Sequence, residues 1–438
     1  MAHRYPESRL FYRRLDRAFP LAVAAEGSWI VDEDGKRYLD ASGGAVVVNL
    51  GHGVGGADVA MAEATRQLGY VNGTQFTNRA AEQLAATLAE VLPGDLGFSY
   101  FLSSGSEAVE AAVKLARQYW VERGRPRKWK VVRRAPSYHG NTLTALSLSG
   151  REHYRRIYGP LLTEFPSIPA PDPWRRPHDP GTTGEALADE LVRQDPETVA
   201  AFLFEPIGGS STGAVVPSEA SYARVIEACR AHDVLLLADE VMCGMGRTGR
   251  WLASEWFPGL APDVVVLGKG LNGGALALSA VVARPHVVEA LARGSGAFLH
   301  AQTYTNAPAA CAAGLATVRY LSEHRLVERA AAMETPLLAA LARLRADPRV
   351  GDVRGKGLLA AVELVEDPAT REPFPRAARF AERLTDRAFA HGLVVWPNVG
   401  HVDGERGDLV MIAPPFTVSG DEIEEIARRL GAALEEVR

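Results

Sequence analysis

Three continuous apolar runs lie in the middle of the chain, and a charged side chain follows each of them. The runs cover residues 200–204, 234–238 and 264–268, and the side chains that follow are those of Glu205, Asp239 and Lys269. Continuous rather than alternating hydrophobicity is typical of strands covered on both faces, so the runs predict neighbouring strands of a parallel sheet between helices. Ligands of open α/β sheets bind outside the carboxyl ends of the strands. If the three strands are neighbours, these three side chains share one site.

Lys269 is the most informative of the three. It closes a predicted buried strand and opens onto a glycine-rich stretch at 270–274. Burial disfavours the charged form of an amine and leaves a nucleophile that can attack a carbonyl, which is what a Schiff-base lysine requires. A lysine at a strand end can equally lay its stem along apolar surface and keep its ammonium group in solvent. The carboxylates at the other two strand ends favour the interpretation of Lys269 as a Schiff-base lysine.

The pattern divides the chain into three segments. Residues 1–60 contain strand-like pieces at 28–32 and 36–40 around a hairpin turn and are predicted to form part of a small domain. Residues 61–316 alternate helical periodicity with apolar strands in the βαβ manner and are predicted to form a large domain. Residues 317–438 turn to amphipathic helices with short strands and are expected to complete the small domain.

Shorter features lie within these segments. The stretch at 166–184, which is the most broken by proline and glycine, is interpreted as a surface excursion. Short strands are predicted at 358–362 and 393–396, and a closing helix is predicted from Asp421.

Composition and charge narrow the classes of function. With 438 residues, of which 47% are apolar and 23% charged, the chain suits two or three domains of an ordinary globular protein. A net charge of −5, with no cationic block longer than Arg125–Lys130, argues against nucleic acid or an anionic membrane as the main partner. Three cysteines without metal spacing predict no zinc site and no disulfide framework, and we expect no metal. The N-terminus lacks an apolar signal core and no stretch approaches the roughly 18 apolar residues of a membrane helix, so a cytoplasmic location is expected.

A helix start at 103–107 follows the strand-like run at 98–102. Ser104 and Glu107 fit a capping box, and the helix start that such a cap organises offers free N–H groups to a phosphate. A plain N-cap explains the same residues, but the position after a strand, in a chain with a candidate Schiff-base lysine, favours the phosphate. Tyr138 follows another strand-like run and suits either stacking on a ring-shaped cofactor or a place in the core.

Taken together, the segments 235–241, 244–249 and 267–270 resemble the signature of class III pyridoxal-phosphate aminotransferases. Further matches fall in the order of that family and extend the resemblance over about residues 30 to 420. They are Tyr38–Asp40, Gly51–Gly53, Ser104–Ala108, Tyr138–Gly140, Glu205–Pro206 and His300–Tyr304. The resemblance implies an α/β enzyme of the pyridoxal-phosphate-dependent fold type I. Such an enzyme has a large domain around a mostly parallel sheet, a small α+β domain from both chain ends, and a homodimer with active sites at the subunit interface.

The resemblance also implies roles for individual residues. Lys269 would hold the aldehyde of pyridoxal 5′-phosphate as a Schiff base and later carry a proton, and Asp239 would pair with the pyridine nitrogen. Gly105 and Ser106 would contact the phosphate of the cofactor, as would Thr303 from the other subunit. Tyr138 and Val241 would contact the two faces of the ring. Glu205 would be a further cofactor contact. In relatives Glu205 can also pair with a carboxylate-binding arginine.

This sequence departs from its relatives at that arginine. Relatives that accept amines or ω-amino acids commonly hold the acceptor's carboxylate with an arginine shortly before a Pro-Pro motif, here Pro414–Pro415, and the aligned position is Trp396. Arg406 is the nearest alternative, although a loop arginine is more often merely solvated. Phe76 and Trp396, with Tyr138, are expected to line an apolar substrate pocket.

The sequence therefore predicts a transaminase that moves an amino group from a primary amine or ω-amino acid to pyruvate or a similar keto acid. An aminomutase, a racemase or a decarboxylating transaminase stays open, because the carbanion chemistry of the cofactor branches late. A serine hydrolase is the alternative from another class. Gly209–Gly213 matches the nucleophile-elbow pattern, although an extended stretch ending in Pro217 follows where a helix is needed.

Overall fold

The computed structural model describes residues 3–437, which contain one seven-stranded sheet and two four-stranded sheets. The strands are β1 Ala22–Glu26, β2 Trp29–Asp32, β3 Arg37–Asp40, β4 Phe98–Leu102, β5 Lys130–Ala135, β6 Ser167–Pro169, β7 Val199–Phe204, β8 Leu235–Asp239, β9 Val264–Leu267, β10 Ser279–Ala283, β11 Val350–Lys356, β12 Leu359–Leu364, β13 Leu393–Val394, β14 Trp396–Val399 and β15 Asp408–Ile412.

Helices surround the three sheets. The α-helices are α1 Gly43–Val46, α2 Ala57–Gln67, α3 Arg79–Val91, α4 Gly105–Glu122, α5 Leu143–Ser147, α6 Glu152–Tyr158, α7 Pro180–Thr183, α8 Ala186–Arg193, α9 Glu219–Ala231, α10 Pro285–Arg293, α11 Pro308–Glu323, α12 Leu326–Ala332, α13 Glu334–Ala342, α14 Phe380–Ala390 and α15 Gly420–Glu436. Short 3₁₀ turns cover Gly159–Leu161, Pro196–Thr198, Ala253–Trp256, Lys269–Leu271, Arg343–Ala346 and Arg376–Ala378. Among the helices of residues 3–437, none has the length and apolar character needed to cross a membrane.

The seven-stranded sheet has the order β4-β10-β9-β8-β7-β5-β6. The pairs from β9 to β6 are all parallel, whereas β10 runs antiparallel to both β9 and β4. The prediction that the three apolar runs form neighbouring parallel strands is therefore confirmed, since they are β7, β8 and β9. The predicted hairpin is also confirmed, because β2 and β3 pair antiparallel.

Alternate residues of the central strands enter two different cores, which explains why their sequences are apolar throughout. In β8, Leu235 and Leu237 pack with α4 on one face of the sheet, while Leu236 and Ala238 pack with α9 on the other. Side chains in a strand point alternately to the two faces, so a polar residue at any position would be buried.

Both ends of the chain meet in a third hydrophobic cluster. Strand β3 pairs in parallel with β13, and the cluster joins Leu39 and Leu50 to residues between Leu321 and Val437. The predicted boundary at 316 falls inside the unbroken helix α11, which puts Leu315 into the large core and Leu321 into the third cluster. The boundaries at 60 and 316 stay predictions, and α11 physically connects the two parts.

The interpretation of 166–184 as a surface excursion is wrong in part. Residues Ser167–Pro169 form β6, which pairs in parallel with β5 at the edge of the large sheet, and Ile168 is buried. A strand of three residues that ends in proline shows no periodicity, so only the pairing with β5 identifies it.

Arg247 and Lys128 are buried cations that hold loops together by donating to several backbone carbonyls each. Arg247, from the glycine-rich segment after Asp239, donates from Nη1 to the carbonyl oxygens of Leu358, at 3.0 Å, and Pro414, at 2.6 Å, and from Nη2 to that of Val48, at 3.4 Å. These bonds attach both ends of the chain to the large domain.

Lys128 is the second buried cation, and its side chain has no exposed surface. Its Nζ lies 2.9 to 3.0 Å from the carbonyl oxygens of Pro196, Val199, His232 and Asp233, at the start of β7 and before β8. Burial lowers the pKa of Lys128 to about 8. The ammonium group is thus the shared donor for loops that enter two neighbouring strands.

We expect Lys128→Met to lower the free energy of unfolding by at least about 3 kcal/mol, because it leaves several buried carbonyls without a donor. Calorimetric Tm values of the variants measure the loss. Lys130→Met is the matched control, since the Lys130 Nζ donates to the single carbonyl of Gln194. Equal losses in the two variants would contradict the role assigned to Lys128.

Candidate active site

A cavity of about 300 Å³ opens where β7, β8 and β9 end and where α4 begins. Eight of the residues singled out in the sequence line it, and they are Gly105, Ser106, Tyr138, Glu205, Asp239, Val241, Lys269 and Trp396. The carboxyl ends of parallel strands lie at one edge of a sheet, so residues far apart in sequence meet there.

Lys269 sits at the end of β9, in a 3₁₀ turn that opens toward the cavity. Its backbone is left-handed, with φ of 45°, a conformation that costs energy in a residue other than glycine and is common at functional sites. Burial lowers the pKa of Lys269 below that of an ordinary lysine, while the carboxylates of Asp239 and Glu205 oppose the shift. The amine is therefore more readily available in its uncharged, nucleophilic form than a lysine in solvent.

Asp239 is almost fully buried and held in place from two sides. Its Oδ2 lies 2.7 Å from Nδ1 of His139, and its Oδ1 accepts a hydrogen bond from the backbone N–H of Val241 at 3.1 Å. The backbone N–H of His139 donates to Ser149 Oγ, which fixes the strand-end turn that carries the imidazole. His139 thus orients the carboxylate toward the cavity, a role that its place in the Tyr138–Gly140 motif did not reveal.

The first turn of α4 lies at the cavity and leaves backbone N–H groups available. The predicted capping box is confirmed, because Ser104 Oγ accepts from the Glu107 N–H and the Glu107 carboxylate accepts from the Ser104 N–H. The cap does not use the N–H groups of Gly105 and Ser106, which belong to the first turn and have no acceptor within the helix. These two residues line the cavity, so their N–H groups are suited to bind a phosphate.

Two glycines allow close packing at the first turn of α4. A Cβ on Gly140, whose φ is +140°, would lie 2.5 Å from Ser106 Oγ, and a Cβ on Gly105 would lie 3.1 Å from Cγ1 of Val241. Ser106 Oγ is further fixed by Asn141, whose backbone N–H donates to it at 3.0 Å. The first turn of α4 therefore lies close against Val241 on one side and against Gly140 on the other.

Glu205 lies at the base of the cavity, and its Oε1 accepts the N–H of Gly209 at 3.1 Å. Burial raises the pKa of this carboxyl above its ordinary value. Trp396, the first residue of β14, lines the same cavity, so this strand presents an indole ring there.

Three predicted residues are not brought to the cavity by this chain. Thr303 and Phe76 lie in exposed loops. Arg406 is exposed, with Nη1 2.6 Å from Glu372 Oε1 and Nε 2.7 Å from Asp403 Oδ2. The nearest alternative for carboxylate binding that the sequence offered is thus occupied by two acidic partners outside the site.

Sequence reasoning missed several lining residues, of which Arg151, Arg13 and Tyr154 are the most polar. Arg151 follows α5 and belongs to a group of three arginines with Arg155 and Arg156, so nothing in the sequence separates it from its neighbours. Arg13 comes from the N-terminal segment, where no motif drew attention.

A larger cavity, of about 580 Å³, lies between α3, β4, β10 and α10. Its lining is mostly apolar and contains neither lysine nor histidine, so we assign the chemistry to the smaller cavity. Within residues 3–437, no cluster of three or more histidine, cysteine or acidic side chains is arranged to hold a metal ion.

The smaller cavity fits the cofactor that the resemblance implies. It offers an amine for an aldehyde, a buried carboxylate for a ring nitrogen, and a helix start for a phosphate, all on one lining. Tyr138 and Val241 supply an aromatic and an aliphatic surface for a flat ring.

Comparison with known proteins decides the family. The model of the class-III aminotransferase family matches residues 12–434 of the chain. The chain belongs to the class III aminotransferases. This aminotransferase is 40% identical over 425 residues to the uncharacterized aminotransferase YodT of Bacillus subtilis (strain 168), covering 96% of each protein. It is 33% identical over 430 residues to the putrescine–pyruvate aminotransferase of Pseudomonas aeruginosa, covering 95% of this chain and 90% of the relative.

Among solved structures, the aminotransferase is similar to a thermostable (S)-enantioselective ω-transaminase from Thermomicrobium roseum. The TM-score is 0.91 at 33% identity, with 98% of this chain and 96% of the other covered. The predicted family and the predicted fold type I are therefore confirmed. The serine hydrolase alternative fails: no helix starts after Ser211 before α9, and Ser211 Oγ accepts from Nε of Arg151 at 3.0 Å.

We expect Gly140→Ala to weaken the binding of pyridoxal 5′-phosphate by about 10- to 100-fold, since the added methyl group displaces Ser106 from the first turn of α4. Titration of the apoenzyme with the cofactor, followed by absorbance, measures the change. Gly159→Ala is the control, because no heavy atom lies within 4 Å of a Cβ built there. Unchanged cofactor affinity in Gly140→Ala would contradict the phosphate site.

Proposed function

We propose that this class III aminotransferase binds pyridoxal 5′-phosphate covalently through Lys269 and moves an amino group from a primary amine or ω-amino acid to pyruvate or a similar small keto acid. The observation that supports it most is the convergence of Lys269, Asp239 and the start of α4 in one cavity. When bound, the cofactor supplies an aldehyde and a ring that accepts an electron pair.

The residues of the chain divide the work. Asp239, oriented by His139, would hold a proton on the ring nitrogen of the bound cofactor and so favour its acceptance of an electron pair. Lys269 would bind the cofactor aldehyde and would carry the substrate proton as general base and acid. Gly105 and Ser106 would bind the phosphate, and Tyr138 and Val241 would contact the ring.

The apolar and aromatic part of the cavity lining supports a primary-amine donor. Trp396 replaces the arginine expected before Pro414–Pro415, and Met242 and Tyr154 add apolar and aromatic surface. The putrescine–pyruvate relative carries an amine donor and pyruvate in its name, and the similar solved structure is named an ω-transaminase. These names support the same class of donor and acceptor here.

We infer that the protein acts as a homodimer. The loop that carries Phe76 lies beside the loop that carries Thr303, since Asn78 Nδ2 donates to the carbonyl of Asn306 at 2.8 Å. Both loops expose large apolar side chains, with Phe76 64% and Tyr304 63% exposed. A second copy would cover this surface and bring Thr303 to the phosphate, and Phe76 to the substrate pocket, of the partner. A cytoplasmic location stays a prediction.

The decisive experiment adds amines and pyruvate to the purified protein. The visible spectrum should change on adding an amine donor, and alanine should form from pyruvate. Lys269→Ala should abolish alanine formation, because the variant lacks the amine that transfers the substrate proton. Lys114→Ala, an exposed lysine of α4, is the control and should retain activity. Isomerised or decarboxylated product with no alanine for any donor would instead favour an aminomutase, a racemase or a decarboxylating enzyme.

A second prediction concerns the shared site. Thr303→Glu should repel the phosphate of the partner's cofactor and Lys269→Ala removes the nucleophile, so each homodimer should be weak or inactive. Refolding or coexpressing the two variants together should restore roughly a quarter of the wild-type activity, because half of randomly paired dimers contain one intact site. Mixtures no more active than their components would mean that Thr303 does not serve the partner's site.

A further inference from the structure

We propose that Arg151 is the carboxylate-binding residue of this enzyme and holds the carboxylate of the small 2-keto acid acceptor. The proposal rests on the proposed function. It names the residue that binds the acceptor's carboxylate, which the presence of Trp396 in place of the expected arginine left unassigned. Arg151 lines the same cavity as Lys269 and lies near enough to contribute to the electrostatic field on its amine.

The guanidinium of Arg151 carries a charge without an acidic partner. Its Nε donates to Ser211 Oγ at 3.0 Å and its Nη2 donates to Ser210 Oγ at 2.5 Å, and none of the described hydrogen bonds uses Nη1. Among the ion pairs of residues 3–437, none includes Arg151, although burial lowers its pKa below the usual range for arginine. The carboxyl of Glu205 on the same lining acts on Arg151 through its electrostatic field but forms no ion pair with it. A half-buried cation whose hydrogen bonds go to hydroxyl groups is stabilised when an anion joins it.

The side chain is also held in a fixed direction. Its guanidinium carbon lies 4.7 Å from the centre of the Tyr138 ring, so it covers one face of that ring in a cation–π contact. Arg151 and Lys269 line the same cavity, so a keto acid bound beside the lysine can present its carboxylate to a guanidinium whose direction is already fixed.

The loop that supplies the two serines is itself anchored. Arg354 of β11 donates from Nε to the carbonyl of Gly213 and from Nη2 to that of Thr212, both at 2.7 Å, and pairs with the buried Glu363. Arg354 is a positioning residue in this scheme, since it acts on Arg151 only through the loop. Preorganised donors lose little entropy when they bind their ligand.

Arg13, the other arginine on the lining, is the weaker candidate. It is exposed, and its Nη2 donates to the hydroxyl of Tyr154 at 2.7 Å. Water screens an exposed guanidinium, so its attraction for a carboxylate is small compared with that of a buried one.

The test uses the holoenzyme and compares acceptors with and without a carboxylate. In Arg151→Gln, KM for pyruvate should rise by about 10- to 100-fold, since a charge-assisted hydrogen-bond pair is lost. The spectral change with 1-phenylethylamine, a donor without a carboxylate, and the KM for butanal, an acceptor without one, should stay close to wild type. Arg156→Gln, an exposed arginine of α6, is the matched control and should not raise KM for pyruvate.

A binding measurement separates this proposal from the proposed function. Propanoate resembles pyruvate but cannot react, and calorimetric titration should show that wild type binds it while Arg151→Gln binds it at least about 10-fold more weakly. If the wild-type protein transfers no amino group but Arg151→Gln still binds propanoate more weakly than wild type does, the proposed function is wrong and the carboxylate site remains.

Three outcomes would overturn the assignment. Unchanged pyruvate KM and propanoate affinity in Arg151→Gln would remove it. An equal loss with butanal would show that Arg151 acts by supporting Tyr138 rather than by binding a carboxylate. A loss of propanoate binding in Arg13→Gln but not in Arg151→Gln would transfer the role to Arg13.

Discussion

The parallel pairing of β7, β8 and β9 is the constraint on which the site depends. Three strands that run in one direction end at one edge of the sheet, so the residues that follow them lie close together although 64 positions separate Glu205 from Lys269. Covered on both faces, the strands must be apolar throughout, and the first polar side chains come where they end. The lysine and the two carboxyl groups then share a region of low dielectric, in which the acidic groups limit the cost of burying the amine.

Buried cations serve two different purposes in this protein. Lys128, Arg247 and Arg354 donate to backbone carbonyls, and Arg354 also pairs with acidic side chains, so these three cations hold the loops and the two parts of the chain together. Arg151 differs because its partners are two serine hydroxyls and the face of an aromatic ring. A cation whose hydrogen bonds are all made within the protein binds an anionic ligand weakly. A cation without an ion-pair partner can still bind one. The cavity lining thus has two separate positive features, which are the start of α4 and Arg151.

Sequence reasoning found the residues whose chemistry is tied to a local signal. Lys269 and Asp239 end apolar runs, and Ser104 with Glu107 shows a capping pattern that the structure contains as such. It did not find Arg151, which has no pattern to distinguish it from Arg155 or Arg156. Sequence reasoning suggested Arg406 because this arginine lies near the expected place in the sequence. In the structure its guanidinium forms ion pairs with two acidic side chains outside the cavity.

By itself the sequence identified the three central strands, the hairpin, the capped start of α4, and the amine and carboxylates at the strand ends, because periodicity, capping and turn residues act over a few neighbouring positions. The family followed from the resemblance of its motifs. The tertiary structure alone decided which arginines reach the cavity, that Trp396 lines it, that His139 orients Asp239, and that β6 joins the edge of the sheet. These outcomes depend on contacts between residues tens to hundreds of positions apart, and such contacts are set by the packing of the sheet and its helices rather than by any local pattern.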